Sequence, residues 1–457
     1  MPHALPIELL DSLQRIKGFD EAAFIAAHAT ENQITSIRVN PAKPSNSVVD
    51  TLLSAEKIPW CSNGYYLQER PSFTLDPHFH AGAYYVQEAS SMFLETVMKQ
   101  TIDLNASLKV LDLCAAPGGK STLIQSLISK DSFLVSNEVI KTRVNILAEN
   151  ITKWGVANVV VTNNDPKDFQ RLSNYFDVIV VDAPCSGSGL FRKDNEAISE
   201  WSMDNVALCS QRQQRILADV ISSLKPGGVL IYSTCSYSEV ENENIAEWLT
   251  KENTFESCKI DFQQNWGVVE TEKNDVYGYR FYPDKIKGEG FFIAAFKKNE
   301  DANAQKLKQK TINQKSTVSK SQFEYLSKWV NPKIDIEYFN WKNEVIALPY
   351  ILLQEMANLQ SALYIKKIGV NIGSVIRNEL IPSHELAVST ILSLDVETIH
   401  LIKEDALQYL RHQNFELKDT SPGWKLIMYN ELPLGFIKSM SNRFNNYYPR
   451  EWRILNK

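Results

Sequence analysis

Val110-Leu-Asp-Leu-Cys-Ala-Ala-Pro-Gly-Gly-Lys-Ser-Thr122 is an apolar run that ends in a glycine turn and passes into residues of helical character. A strand, a tight turn and a helix in that order open a doubly wound α/β fold. The turn is not a Walker phosphate loop, because the G-x-x-x-x-G-K-[ST] spacing is not met, and it is not G-x-G-x-x-G either. Its glycines still let backbone N–H groups approach a ligand closely. Alone, such a turn is equally well a simple bend, so the residues downstream of it decide.

Four further runs come after it: Phe133–Asn137, Val159–Thr162, Val178–Asp182 and Val229–Thr234. They are short, β-rich and nearly all apolar, with amphipathic stretches between them. That pattern suits a parallel sheet covered by helices on both faces. Residues 106–298 are therefore expected to form a Rossmann-like domain. Glu138 ends its second strand, Asp165 follows the third in Thr162-Asn-Asn-Asp165, and Asp182 ends the fourth. Acids at the carboxyl ends of successive parallel strands converge on one crevice, where they can hold ribose hydroxyls and an adenine amino group. Each is ordinary by itself as a cap or turn residue. Together with the Gly-Gly turn they indicate a nucleoside-bearing cofactor. Since no phosphate-cradling loop accompanies them, S-adenosylmethionine fits better than ATP.

The fourth strand runs into Asp182-Ala-Pro-Cys-Ser-Gly-Ser-Gly189, and the fifth into Tyr232-Ser-Thr-Cys-Ser-Tyr237. Strands four and five are neighbours in a doubly wound sheet, so Cys185 and Cys235 should meet above one edge, beside the cofactor crevice. A lone cysteine is usually a small buried hydrophobe. Two at the ends of adjacent strands suit methylation of cytosine carbon 5, which needs two free thiols. Carbon 5 is a poor nucleophile until a thiolate adds to carbon 6, and a base must afterwards remove the carbon 5 proton. A free thiol, with a pKa of about 8.5, is mostly protonated at neutral pH, so the site must favour thiolate or couple attack to protonation at ring N3. Asp182 is placed to hold that edge of the base. The base must also be unpaired or flipped out.

The remaining sequence sets the surroundings. With 457 residues, two or three domains are expected. A net charge of −6 disfavours generic polyanion binding but leaves room for a basic patch. The six cysteines form no C-x-x-C pair, so no metal is expected. Neither a secretory start nor an apolar run of about 18 residues is visible. The expectation is a cytoplasmic chain with reduced thiols and no membrane, with a monomer as the default. Residues 1–105 read as an N-terminal α+β domain, with a helix near Leu9–Ile16 and strands near Ser36–Val39 and Tyr65–Leu67. Residues 299–322 are lysine-rich without aromatics and read as a solvated linker. Residues 323–380 read as a small α/β domain. Residues 381–457 read as a strand-rich domain, with strands at Trp424–Tyr429 and Leu434–Ile437. Its basic residues interleave with Phe436, Phe444, Tyr447, Tyr448 and Trp452. That mixture suits either RNA contact or an ordinary β core with a charged rim. His384, His400 and His412 have no evident partners and read as core or surface residues.

On Cys114-Ala-Ala-Pro-Gly-Gly-Lys120, Asp182-Ala-Pro-Cys-Ser-Gly187, Ser233-Thr-Cys-Ser236, Ile37-Arg-Val-Asn-Pro41 and Tyr85-Val-Gln-Glu-Ala-Ser-Ser91, the chain resembles the RNA 5-methylcytosine methyltransferases. Within them it is most similar to the bacterial RsmB/RsmF branch, which acts on small-subunit ribosomal RNA. The resemblance is strong over about residues 30–298. It implies a class I methyltransferase core with S-adenosylmethionine as methyl donor, and ribosomal RNA or the small ribosomal subunit as partner. It implies Cys235 as nucleophile and Cys185 as the residue that assists release. It places the cofactor on Cys114, Ala115, Ala116, Pro117, Gly118, Gly119, Lys120, Glu138, Asp165 and Asp182, with Arg143 as a nearby basic residue. It makes residues 1–105 and 381–457 RNA-binding, the latter PUA-like through Gly435-Phe-Ile-Lys438 and Asn442-Arg-Phe444. DNA cytosine methyltransferases use the Pro-Cys thiol for attack and need no Thr-Cys partner, so the presence of both favours RNA. Transfer RNA would require the same chemistry. A non-catalytic assembly factor on this fold would show a broken motif, and none is visible.

Overall fold

A computed structural model describes residues 5–30, 34–43, 48, 55–251, 254–300, 318–377, 379–393, 395–417, 421–440 and 443–455. Most of the expected linker (301–317), and Asn442 of the expected PUA match, lie outside these residues.

The central sheet is built on five parallel strands: β5 (Lys109–Asp112), β6 (Phe133–Asn137), β7 (Val159–Thr162), β8 (Phe176–Asp182) and β9 (Leu224–Thr234). Their order is β9-β8-β5-β6-β7. β6 and β7 are buried along their whole length, as expected for strands covered on both faces. The helices Gly119–Leu127, Lys141–Trp154 and Met203–Val220 cross between them. This is the doubly wound arrangement read from the sequence, with antiparallel strands added at both edges. β13 (Phe291–Lys298) pairs with β9, and β12 (Val276–Phe281) and β11 (Val269–Lys273) follow outward, while β10 (Phe255–Ser257) also joins β13.

The N-terminal region forms its own antiparallel sheet, β2-β3-β1-β4, from β1 (Thr35–Val39), β2 (Glu56–Lys57), β3 (Gly64–Leu67) and β4 (Tyr84–Val86). Arg38 on β1 is almost completely buried and fastens this sheet to the core. Its guanidinium donates to Thr122 Oγ1 (2.5 Å), the Gly119 carbonyl (3.3 Å) and Gln87 Oε1 (2.9 Å), and stacks on Trp154.

Beyond residue 318 the chain builds two more four-stranded sheets. The first is β14 (Glu337–Trp341), β15 (Glu344–Leu348), β17 (Val370–Ile376) and β18 (Glu379–Pro382). The second is β19 (Thr398–His400), β20 (Gly423–Tyr429), β21 (Leu432–Met440) and β22 (Arg443–Asn446). Between them, β16 (Ile365–Ile368) leaves this region and pairs antiparallel with β7, at the far edge of the central sheet. The helix Tyr350–Ala362 packs onto the core beside it. Leu352, Met356 and Leu359 join the central hydrophobic cluster, and Glu355 takes bonds from Lys109 Nζ (2.5 Å) and the Tyr175 hydroxyl (2.8 Å). His384 is buried against Tyr448 and Trp452, and His412 bonds the Tyr448 carbonyl oxygen.

Candidate active site

β5 delivers the glycine turn to the carboxyl edge of the sheet. Gly118 sits at φ +119, a backbone conformation that a side chain rarely adopts, and this reverses the chain into the helix beginning at Gly119. The loop is braced from three sides. The Ala115 N–H donates to the Asn137 carbonyl (2.8 Å), Arg143 donates to the Ala116 carbonyl (2.7 Å), and Asn150 donates to the Pro117 carbonyl (2.8 Å). Arg143 also pairs with Glu138 at 3.4 Å. The sequence did not single out Asn137. It ties the end of β6 to both flanking loops, donating to the Leu113 and Asn164 carbonyls and accepting from the Asn164 N–H and the Thr162 hydroxyl.

Above the turn lies a cleft of about 180 Å³, floored by residues 114–117, Gly119, Lys120 and Asp182 and roofed by Tyr85–Glu88 and Ser91. Two of the expected acids, Glu138 and Asp182, sit close to the buried carboxyl of Asp112. One Asp112 oxygen accepts from Ser121 (2.7 Å), while the other is buried without a hydrogen-bond partner. Burial pushes Asp112 up to about 7, opposed by the Ser121 bond and reinforced by the charges of Asp182 and Glu138. Asp182 and the glycine turn in the floor, with Glu88 in the roof, bring carboxylates and backbone N–H groups to the cleft, which is chemistry suited to a cationic, nucleoside-bearing cofactor. S-adenosylmethionine therefore fits these residues. Of the expected cofactor residues, Gly118, Glu138, Arg143 and Asp165 lie outside the cleft lining. Asp165 caps the 3-10 helix Pro166–Leu172 by accepting from the Lys167 N–H. Cys114 stands apart from the other two motif cysteines in the cleft floor, where burial and nearby carboxylates push its thiol up.

The two expected active cysteines come together. Parallel pairing of β8 with β9 sets Asp182 opposite Ser233, and the loops beyond bring Cys185 Sγ to 3.0 Å from Cys235 Sγ. The hydrogen bond with Cys235 holds the Cys185 thiol well above its ordinary range, with burial, the Cys235 charge and Glu241 adding to the effect. Asp182 is fixed between Lys120 Nζ (2.8 Å) and the Ser233 hydroxyl (2.7 Å).

Beneath the thiols lies a polar web that the sequence did not disclose. Glu241 is fully buried and accepts from the Ser186 N–H (2.7 Å), the Ser186 hydroxyl (2.6 Å) and the Ser236 hydroxyl (2.5 Å). It thus clamps the residue after each cysteine to one carboxylate. Asn242 accepts from the Thr234 hydroxyl and donates to the Ser236 carbonyl. Arg280 and Glu243 form a buried pair, and Arg280 also donates to the Tyr237 carbonyl (2.7 Å). The Gly189 N–H donates to the Cys235 carbonyl (2.8 Å). The available signal was the acid-rich Glu239-Val-Glu-Asn-Glu243 directly after the Thr-Cys motif.

Three family models match the chain. Residues 99–297 match 16S rRNA methyltransferase RsmB/F, residues 5–89 the N-terminal domain of 16S rRNA methyltransferase RsmF, and residues 396–454 the methyltransferase RsmF PUA domain. The chain is 31% identical to ribosomal RNA small subunit methyltransferase F of Vibrio parahaemolyticus, across 91% of this chain and 90% of that protein. It is 29% identical to the protein of the same description from Shewanella woodyi, with the same coverage. Among solved structures, a methyltransferase homolog protein from Pyrococcus horikoshii aligns with a TM-score of 0.52 and 29% identity, across 64% of this chain and all of that one. NSun6 from the same organism, at 20% identity and a TM-score of 0.54, shares the fold across 66% of this chain and all of that one.

Proposed function

The chain belongs to the RsmB/F family of 16S rRNA methyltransferases, in its RsmF form, and on that basis we propose that it makes 5-methylcytosine in 16S rRNA with Cys235 as nucleophile and Cys185 as the residue that frees the product. The family is S-adenosylmethionine-dependent. When bound, the cofactor supplies an electrophilic methyl group. Residues 114–120 and Asp182 would hold it, while Glu138, Arg143 and Asp165 are assigned to it by the family resemblance alone.

One observation carries the pairing of the two thiols: Cys185 Sγ and Cys235 Sγ lie 3.0 Å apart, and that contact is the chief cause holding the Cys185 thiol above its ordinary range. In this division Cys235 attacks as thiolate, its proton having left for solvent. That thiolate adds to cytosine carbon 6, forming a C–S bond and making carbon 5 enamine-like. Asp182, pinned by Lys120 and Ser233, holds the N3 and amino edge of the base. Once Cys235 is a neutral thioether, the chief cause that kept the proton on Cys185 is gone. Cys185 gives its own proton to solvent and, as thiolate, takes the carbon 5 proton of the methylated base; the electron pair of that C–H bond re-forms the carbon 5–carbon 6 double bond as the C–S bond breaks and returns thiolate to Cys235. The two thiols thus acquire opposite roles through their mutual coupling. Both must stay reduced, which suits a cytoplasmic enzyme.

The test incubates the protein and labelled S-adenosylmethionine with 16S rRNA, small subunits and transfer RNA, beside Cys235→Ala and Cys185→Ala. Labelled 5-methylcytosine in 16S rRNA that vanishes in Cys235→Ala is the expected result. Label in transfer RNA alone would overturn the substrate. Loss of initial attack in Cys185→Ala with attack retained in Cys235→Ala would reverse the roles.

A further inference from the structure

The cofactor cleft does not end at Tyr85 and Val86. Both residues also line a second cleft of about 440 Å³, into which Asn150 points while it holds the Pro117 carbonyl of the cofactor turn. That second cleft shares Pro71, Ser72 and Phe73 with a third, of about 430 Å³, which lies between the N-terminal sheet and the C-terminal domain. The three lie in a row, each sharing lining residues with the next, and the innermost is the cofactor cleft. Each outer cleft lies within the range of small-ligand sites, about 300–1,000 Å³.

The third cleft is built differently from the first. Phe73, Tyr84 and Tyr429 bring aromatic surface to it, with Ile37 and Leu67 on the N-terminal side. Its polar edge is the set Asp76, His78 and the Tyr84 hydroxyl. Asp76 accepts from His78 Nδ1 (2.9 Å) and from Tyr84 (2.6 Å), so its charge is satisfied within its own wall. Two exposed cations flank the groove: Arg70 beside the second cleft and Lys403 beside the third. Neither is in a salt bridge among the described residues, although Arg70 stacks on Phe73. Aromatic walls with cations at the rim are how proteins hold single-stranded nucleic acid, because every base has a stacking face and every linkage a phosphate.

Resting on the function proposed above, we propose that this slot between Phe73, Tyr84 and Tyr429 receives a second unpaired base of the same rRNA strand, with Arg70 and Lys403 holding the intervening phosphates. The strand leaves the methylation site over Tyr85 and Val86 and follows the groove to the C-terminal domain. The slot therefore fixes which cytosine reaches Cys235, by its distance along the strand from a docked neighbour. An apolar peptide would also suit the walls, but the exposed cations Arg70 and Lys403 at the rim favour RNA.

The test uses the full-length protein with 16S rRNA, with a short fragment carrying the methylated cytosine but few flanking nucleotides, and with assembled small subunits. Ser72 is exposed at the junction of the two outer clefts, and Ser72→Trp blocks the groove without removing core packing. Arg70→Glu with Lys403→Glu reverses the rim charge. For either variant the KM for 16S rRNA should rise about tenfold or more, since stacking one base contributes on that order. Affinity for S-adenosylmethionine and turnover of the short fragment should stay at wild-type values. Ultraviolet crosslinking of the wild type should place nucleotide adducts on Phe73, Tyr84 or Tyr429. Unchanged KM in both variants, with no adducts in the slot, would overturn the proposal while the wild type still methylates rRNA. A defect confined to assembled subunits would put a ribosomal protein in the slot and overturn it also. No methylation of rRNA by the wild type would instead sink the function on which the slot rests.

Discussion

Two glycines in Pro184-Cys-Ser-Gly-Ser-Gly189 look interchangeable in sequence and are not so in space. A Cβ on Gly189 would stand 2.4 Å from the Gly290 carbonyl oxygen and 2.7 Å from the Cys235 carbonyl oxygen, where ordinary contact begins at 3.4 Å. Both obstacles are backbone, so neither can rotate away. Gly189→Ala must push the Cys235 peptide back and strain its 2.8 Å bond to the Gly189 N–H. Overpacking of this kind costs about 1–3 kcal/mol of stability, which a protein of this size survives folded. Activity should suffer more, because a shift of about 1 Å at a reacting group can cost on the order of a hundredfold. A Cβ on Gly187 meets nothing within 4 Å, and only its φ of +76 opposes substitution. That strain is about 1–2 kcal/mol with no push on Cys235. Single-turnover methyl transfer, read beside denaturant unfolding, separates the two. Gly189→Ala should lose on the order of a hundredfold in rate, and Gly187→Ala less than about tenfold, at similar stability. Equal losses in both variants, or a near-normal rate in Gly189→Ala, would refute the claim that close backbone contact positions Cys235.

The same geometry sets three further outcomes. Cys185→Ala should still attack but fail to release, so a covalent protein–RNA species should accumulate on denaturing gels; its absence, with attack intact, would remove Cys185 from product release. Arg280→Met leaves Glu243 buried without its partner and the Tyr237 carbonyl without its donor, so unfolding should become easier by about 3–5 kcal/mol. The double variant with Glu243→Met should be less destabilised than the two singles added, and strict additivity in denaturant titrations would contradict the pairing. Lys43 is buried, with its amine on the Ala81 and Lys153 carbonyls, and burial pulls it from 10.5 down to about 7. The unfolded chain therefore keeps a proton that the folded chain releases, and stability should rise with pH between about 7 and 10.5. Lys43→Met should lose that rise, and an unchanged slope would show that the amine does not titrate there.

What could be read from the sequence was whatever depends on short-range pattern. β6 and β7 begin and end where the apolar runs do, because strands buried on both faces leave no ambiguity of face. The meeting of Cys185 and Cys235 was legible because the pairing of neighbouring parallel strands is dictated by topology. The edge strands were not. β16 and β11 are mixed in character, and although β13 is a buried apolar run, its place at the edge of the sheet rests, like theirs, on pairings such as Ile365 with Thr162, which no local pattern announces. Arg38 shows the same limit. The motif around it was visible, yet its partner Thr122 lies 84 residues along the chain. Glu241 carried a signal only in retrospect, since acids after a strand are usually solvated.

These distant contacts explain why the methylation site needs the N-terminal sheet. The segment Tyr85–Ser91 roofs the cofactor cleft and is the continuation of β4. Arg38, on the neighbouring β1, bonds Gln87 of that roof and Gly119 and Thr122 of the cofactor helix at once. Glu88, next in the roof, accepts from the N–H groups of Ser90, Ser91 and Glu289. Glu289 precedes Gly290, whose Cα packs so closely on Tyr237 that an added Cβ would fall 2.3 Å from the ring. Tyr237 lies two residues after Cys235. Roof, cofactor turn and nucleophile loop are therefore joined by buried bonds and close packing, not by flexible loops. A site held from rigid elements on three sides keeps its reacting groups in register without a separate ordering step. Arg38 thus ties the sheet that walls the proposed RNA slot to the helix that follows the cofactor turn.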